Sequence, residues 1–275
     1  FKNAELQRRF REKSWEYTAR VLEEMGELLQ EIRDGLVRRD EADDLVIIID
    51  NLDKMLVKDL GGGRTNLDLL FIEQLPKLED LPVHMVVTFP VAFNTEQVQL
   101  RAAFANALAI QIPMVRLRAR QDASSCDAEG FAALRNFLGR RLEMSMIFAD
   151  DAAVDTAIRA SGGCLRDLLR LVASAVVERG EVPIKTADVE RAIRIVVSDL
   201  ERVLQGKTFL PHLHAIARTS SIPSAISPTD RKWLLMNLIV LEYNGETWYD
   251  VHPLAKLTRA FRESEPRGAP SLTAT

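Results

Sequence analysis

Leu45-Val46-Ile47-Ile48-Ile49-Asp50-Asn51-Leu52-Asp53 is the stretch from which the rest of the chain is best read. Five consecutive aliphatics closing on a carboxylate read as a strand buried on both faces of a parallel sheet. A second run, Val83-His84-Met85-Val86-Val87-Thr88-Phe89, is entered through Leu81-Pro82 and ended by Pro90; Pro113-Met114-Val115-Arg116-Leu117 is a third, weaker one. Between the first two lie a glycine-rich loop, Gly61-Gly62-Gly63-Arg64-Thr65-Asn66, and a helical pattern from Leu67 to Leu78. Upstream, Ala4 to Arg39 carries apolar residues spaced by three, four and seven, which predicts one helix, or two broken near Gly26, ended by the acidic cluster Asp40-Glu41-Ala42-Asp43-Asp44. Strands alternating with helices imply an α/β layer fold with parallel pairing.

After Arg120 the pattern turns wholly helical, with segments at Asp127 to Leu142, Asp150 to Ala160 and Leu165 to Arg179, and a fourth from Thr186 to about Leu204. From Lys207 onward, turn-rich stretches precede a helix capped by Thr229 or Asp230. A hairpin signal follows, Leu241-Glu242-Tyr243-Asn244-Gly245-Glu246-Thr247-Trp248-Tyr249, in which Asn-Gly suits a type I′ turn. Helices followed by a β-ribbon suggest a winged helix. The expected organisation is an α/β core over 1–120, a helical domain over 121–205, a winged helix over 206–262 and a disordered tail over 263–275.

Composition narrows the classes. With 275 residues, 47% hydrophobic and 28% charged, the chain is too apolar for a disordered segment and long enough for two or three compact units. Its formal charge of −4 argues against a wholly basic nucleic-acid binder. The two cysteines, Cys126 and Cys164, form no disulfide framework or zinc spacing, which reads as reduced thiols in a cytoplasmic protein. No run approaches a membrane span, and no signal-peptide core opens the chain, so no membrane partner is expected. The start at Phe1, without Met, raises the expectation of a longer protein.

The chemistry concentrates at the ends of the apolar runs. An aspartate at the carboxyl end of a buried strand lies where open α/β sheets bind ligands. Asp50 is therefore placed to hold Mg²⁺ through water. The plainer alternative is that Asp50-Asn51 only turns the chain out of the sheet. Thr88 ends the second strand in a matching position, where its hydroxyl would reach a γ-phosphate or an attacking water; a strand-end Thr alone is usually structural. Ser161-Gly162-Gly163-Cys164-Leu165-Arg166-Asp167 places Arg166 in the first turn of a helix behind a glycine pair. A lone Arg of this kind is most often a surface or salt-bridged residue, but its guanidinium suits a phosphate. His84, His212, His214 and His252 have no metal-ligand spacing.

These stretches, in this order, resemble the AAA+ and STAND group of P-loop ATPases. Leu45 to Asp53 looks like their Walker B strand, closest to the Asp-Asp-Leu-Asp form. Met85-Val86-Val87-Thr88-Phe89-Pro90 is similar to the sensor 1 strand, and Ser161 to Leu169 to the sensor 2 motif, with Arg166 as the sensor arginine. Arg101 falls roughly where the family's arginine finger stands, with Arg116, Arg118 and Arg120 as competitors. The resemblance implies a partial P-loop NTPase sheet followed by an all-α lid and a winged helix. It also implies ATP and Mg²⁺ as cofactors and a nucleotide-driven switch that alters the lid and winged-helix arrangement, acting through self-association or a protein effector.

Two departures bear on activity. No Gly-x-x-x-x-Gly-Lys-Ser/Thr occurs in the chain, and Gly61-Gly62-Gly63-Arg64-Thr65 lacks the spacing and the Lys. An ATPase is therefore expected only if the phosphate loop lies upstream. Secondly, Asn51 stands where the family has its catalytic Glu, and an amide cannot take a proton from water. Asp53 is then either the replacement carboxylate or a helix cap. The alternative function is a degenerate, non-catalytic adaptor using its winged helix for protein or DNA binding. From Lys207 to Arg262 seven basic residues face four acidic ones, and Trp233 to Val240 offers little to base edges, so DNA is the less favoured partner.

Overall fold

The computed structural model describes residues 4–61, 64–92, 104, 108–122, 124–243 and 247–265, with backbone alone at positions 4–12, 14, 15, 53 and 59. The chain divides into two compact units, Phe1–Ile110 and Gln111–Thr275.

In the first unit, helix α1 (Ala4–Arg38) passes Gly26 without a break. A Cβ at Gly26 would meet Leu81 at 3.8 Å and Pro82 at 3.9 Å, ordinary contacts, so nothing there forces a division. The helix stops where Asp40 turns left-handed (φ 58°). The amides of Asp40 and Glu41 then return to the carbonyls of Val37 and Leu36, satisfying the last turn. Asp44, at the end of the same acidic cluster, stitches the helix to the sheet. It takes Arg33 of α1 at 2.8 Å and His84 at 3.1 Å.

Strands β1 (Val46–Ile49), β2 (Asp59–Gly61) and β3 (Arg64–Thr65) follow, the last two pairing antiparallel as a short ribbon. A capping box opens α2 (Asn66–Asp68): Thr65 Oγ1 accepts from the Asp68 amide, and Asp68 accepts from the Thr65 amide. The helical path from Leu67 to Leu78 is real but irregular. A π turn over Leu69–Gln74 gives way to a 3₁₀ turn over Leu75–Asp80. Pro76 accounts for this, because it removes an N–H that a regular helix needs. Strand β4 (His84–Val87) then pairs parallel with β1, Val46 opposite His84 and Ile49 opposite Val87. Leu67, Phe71, Leu75 and Leu81 are buried here, and Phe71 meets Phe89 edge-on at 6.3 Å.

Burial on both faces, expected of β1, is not what the structure shows. Ile47, Ile49, Met85 and Val87 are half-buried, while Val46, Ile48, His84 and Val86 on the opposite face are exposed. Among the described residues the parallel sheet has two strands.

The third apolar run does not join that sheet, and the compact division falls before it, so 111–120 belongs with the second unit rather than the first. Met114 forms an isolated parallel bridge with Tyr243, its amide donating to the Glu242 carbonyl at 3.2 Å. The Val115 amide donates to Gly163 O at 3.1 Å, and Leu117 O accepts from the Asp127 amide at 3.0 Å.

Around this segment pack α3 (Ala128–Gly139), α4 (Met144–Ile147), α5 (Asp151–Ser161), α6 (Leu165–Arg179) and α7 (Thr186–Leu204). Asp127 and Asp150 cap α3 and α5 by accepting from the third amide of each helix. Leu134, Leu138, Phe148, Ile158, Leu168 and Val172 form the centre of their core. Then come α8 (Leu210–Thr219), α9 (Pro228–Met236), β5 (Val240–Tyr243), β6 (Trp248–Val251), α10 (Pro253–Lys256) and α11 (Arg259–Glu263). The cap of helix α9 lies two or three residues earlier than expected. Ser227 is its cap, accepting from the Asp230 amide at 3.0 Å, with Pro228 at the first helical position. It also ends at Met236, and Leu238 to Val240 lead into the strand. Strands β5 and β6 pair antiparallel with Tyr243 opposite Trp248. The Asn244-Gly245 turn lies outside the described residues.

Candidate functional site

Parallel pairing of β1 with β4 brings Asp50 and Thr88 side by side, one residue beyond the last paired positions Ile49 and Val87. The ladder continues into the site, the Thr88 amide donating to Ile49 O at 3.0 Å. The Thr88 hydroxyl donates to Asp50 Oδ1 at 3.1 Å. The Asn51 amide donates to the same oxygen at 2.7 Å. Asn51 adopts φ 69°, in the left-handed region that Asn tolerates better than most residues, and its Oδ1 accepts from Lys54 Nζ. Asp53 lies in the 3₁₀ turn Leu52–Lys54 that follows; its side chain, like the whole of Arg101, lies outside the described residues.

The geometry thus carries both readings of Asp50 at once. Its carboxylate pins the turn that leads the chain out of β1, and it is exposed at the carboxyl end of two parallel strands beside a hydroxyl. In type, an exposed carboxylate flanked by a hydroxyl fits a cation that keeps most of its water, as Mg²⁺ does. Phosphate cradling is a different matter. Of Gly61-Gly62-Gly63, only Gly61 is described, at φ 85° in the β2–β3 ribbon.

Arg166 belongs to the second unit, exposed in the first turn of α6. The glycine pair before it has a structural use of its own. Gly162 and Gly163 both take left-handed φ values, 59° and 86°. A Cβ at Gly163 would lie 1.8 Å from Val115 O, and one at Gly162 2.7 Å from Leu241 Cδ1 and from Pro253 Cδ. The 113–117 segment is gripped on its other side at Gly130, where a Cβ would meet Arg116 O at 1.7 Å. Two close backbone approaches therefore hold this segment between α3 and the α5–α6 turn. The Tyr243 hydroxyl closes the same seam by donating to Gly162 O at 2.6 Å.

Residues that sequence reasoning did not single out also meet at this seam. Asp167 Oδ2 stands 3.2 Å from Nε2 of the buried His252, whose Nδ1 accepts from the Leu254 amide at 3.1 Å. That bond assigns the proton of a neutral ring to Nε2, facing the carboxylate. Burial pushes the Asp167 carboxyl up, but His252, Arg170 and Cys164 together outweigh it and hold the group below the usual carboxylate range. Burial pushes the Cys164 thiol up to about 11, with Asp167 adding to it. A thiol held protonated is a poor nucleophile, and that direction runs against a thiolate at Cys164. In the sequence, Cys164 and Asp167 stand in the Ser161–Leu169 stretch and His252 stands alone far downstream, so no local spacing joins them.

Of the competitors for an arginine finger, Arg118 is engaged within its own unit. It pairs with the buried Asp250 at 2.7 Å, which also binds Lys256, and it lies 4.9 Å over the Trp248 ring. Arg116 faces Asp127 at 3.6 Å. Trp248 stacks on Tyr243 at 4.3 Å, which makes it part of the core. His212 and His214 fall on different faces of α8, and His214 is buried against Phe261 at 4.1 Å. Among the described residues, no three or more His, Cys, Asp or Glu side chains cluster in a way that would hold a metal, and no helix is long and apolar enough to cross a membrane.

No protein-family model matches the chain, and no curated protein or solved structure matches it either.

Proposed function

We propose that the chain is the Walker B to winged-helix portion of an AAA+/STAND-type ATP-binding switch. Asp50 would hold Mg²⁺ through water, Thr88 would meet the γ-phosphate, and Arg166 would engage the nucleotide from the lid. The Thr88–Asp50 hydrogen bond at the carboxyl ends of adjacent parallel strands carries this reading, since that is where open parallel sheets present ligand-binding groups. The switch takes a particular form here. Lid and winged helix share the seam at Gly162, Gly163, Tyr243 and Asp167, so they would respond to nucleotide as one body rather than rearrange against each other. Asn51, an amide that cannot take a proton from water, supports slow turnover, with ATP binding as the principal event.

The test is ATP affinity of the full-length protein, measured calorimetrically with Mg²⁺. Asp50→Ala and Arg166→Ala are each expected to weaken it about tenfold or more. Unchanged affinity in both variants would leave the non-catalytic adaptor as the better account. One observation favours that second reading, namely that Asp50 Oδ1 accepts from the next amide and Asn51 Oδ1 from Lys54, local contacts that a plain chain turn makes.

A further inference from the structure

Helix α1 turns one apolar stripe inward, at positions such as Leu22, Met25 and Leu29, and it carries a second on its exposed side. Tyr17, Val21, Leu28 and Ile32 remain 63%, 40%, 55% and 42% exposed. At about 100° per residue these four positions fall within a strip about 60° wide. Leu6 and Phe10 continue the same spacing in the sequence. The intervals along 6, 10, 17, 21, 28 and 32 are four, seven, four, seven and four, which read the same in both directions about Ala19. In an antiparallel pair of such helices, position 17 falls opposite 21, position 10 opposite 28 and position 6 opposite 32.

Charge along the helix has the matching polarity. Residues 8–20 hold five basic side chains (Arg8, Arg9, Arg11, Lys13, Arg20) against Glu12 and Glu16. Residues 22–34 hold five acidic ones (Glu23, Glu24, Glu27, Glu31, Asp34) against Arg33, and Arg33 is taken by Asp44. A parallel copy would set like charge against like, whereas an antiparallel copy sets the basic half on the acidic half.

We infer that the exposed face of α1 is a homodimer surface on which α1 of a second copy lies antiparallel, centred near Ala19. This surface is independent of the nucleotide reading. It is tested by sedimentation equilibrium of the whole chain and of Val21→Glu/Leu28→Glu. The expectation is a dimer whose dissociation constant rises about 100-fold or more in the variant, with helicity unchanged by circular dichroism. Orientation is read by disulfide formation in a Cys126→Ser background. Chains carrying Ser14→Cys should link to chains carrying Glu24→Cys when mixed. Neither should link to itself, because like positions would stand about 15 Å apart along the antiparallel pair. A monomer at about 100 µM, well above the concentrations at which specific dimers form, overturns the inference. So does a dimer indifferent to the double substitution, or self-linking of Ser14→Cys. Should the double variant lose helicity, the cysteine pair in otherwise unchanged α1 still gives the answer.

Discussion

Gly163 shows most directly how one residue binds the second unit together. Its φ of 86° is one demand, and the mere 1.8 Å that would separate an added Cβ from Val115 O is another; the two are separable by experiment. Gly180 takes a similar φ, 79°, but a Cβ there meets nothing within 4 Å. Gly180→Ala should therefore cost about 1 kcal/mol, the left-handed penalty alone. Gly163→Ala should cost about 3 kcal/mol or more, because backbone must also shift. Urea denaturation of the two variants measures the difference, and equal losses would mean that the 113–117 segment yields freely. Asp167 gives a second test at this scale. Burial raises its pKa, but His252, Arg170 and Cys164 bring the folded value below the ordinary one. Its contribution is therefore present above the unfolded carboxylate range, about pH 4, and is lost as pH falls through the lower folded value. The stability gap between the native chain and Asp167→Asn should shrink on acidification from pH 7 toward about pH 3; a gap independent of pH would show that the carboxylate's charge is not what His252 reads.

At the scale of elements, periodicity and burial part company. The aliphatic run Val46–Ile49 is a strand, as its β-branched residues favour. Yet half its side chains are exposed, because burial on both faces depends on layers that a four-residue string does not encode. Pro113–Leu117 fails as a strand of the parallel sheet for a related reason. Its backbone is engaged by Gly130, Gly163 and β5 instead of by β4, and Val115 and Leu117 pack on the helical core. A fragment comprising 111–275 should accordingly be more stable than one comprising 121–275 by about 2 kcal/mol or more. The shorter one loses Arg118 and leaves the buried Asp250 with the Val251 amide and Lys256. Equal denaturation midpoints for the two fragments would place the true boundary at the helices. Helix boundaries fared better: Leu165–Arg179 and Thr186–Leu204 follow directly from the 3.6-residue period and their terminal signals.

For the molecule as a whole, the division after Ile110 regroups what linear reading had separated. The helical segment and the β-ribbon segment, read as two domains, are one compact unit. The contacts joining them include Tyr243 with Gly162, His252 with Asp167 and the Arg259 amide with Glu201, residues about 60 to 85 positions apart. What could be had from the amino-acid string was local: which segments are helical, where β1, β4 and the hairpin run, and that Asp50 and Thr88 end consecutive strands. Pattern and propensity act over a few residues, so these were legible. That Thr88 reaches Asp50 across a parallel register, that the Gly162-Gly163 pair admits the chain's own backbone, and that Asp167 faces His252 belong to the folded chain alone. Each depends on the distance between residues remote in sequence, and only packing brings such residues within reach of one another.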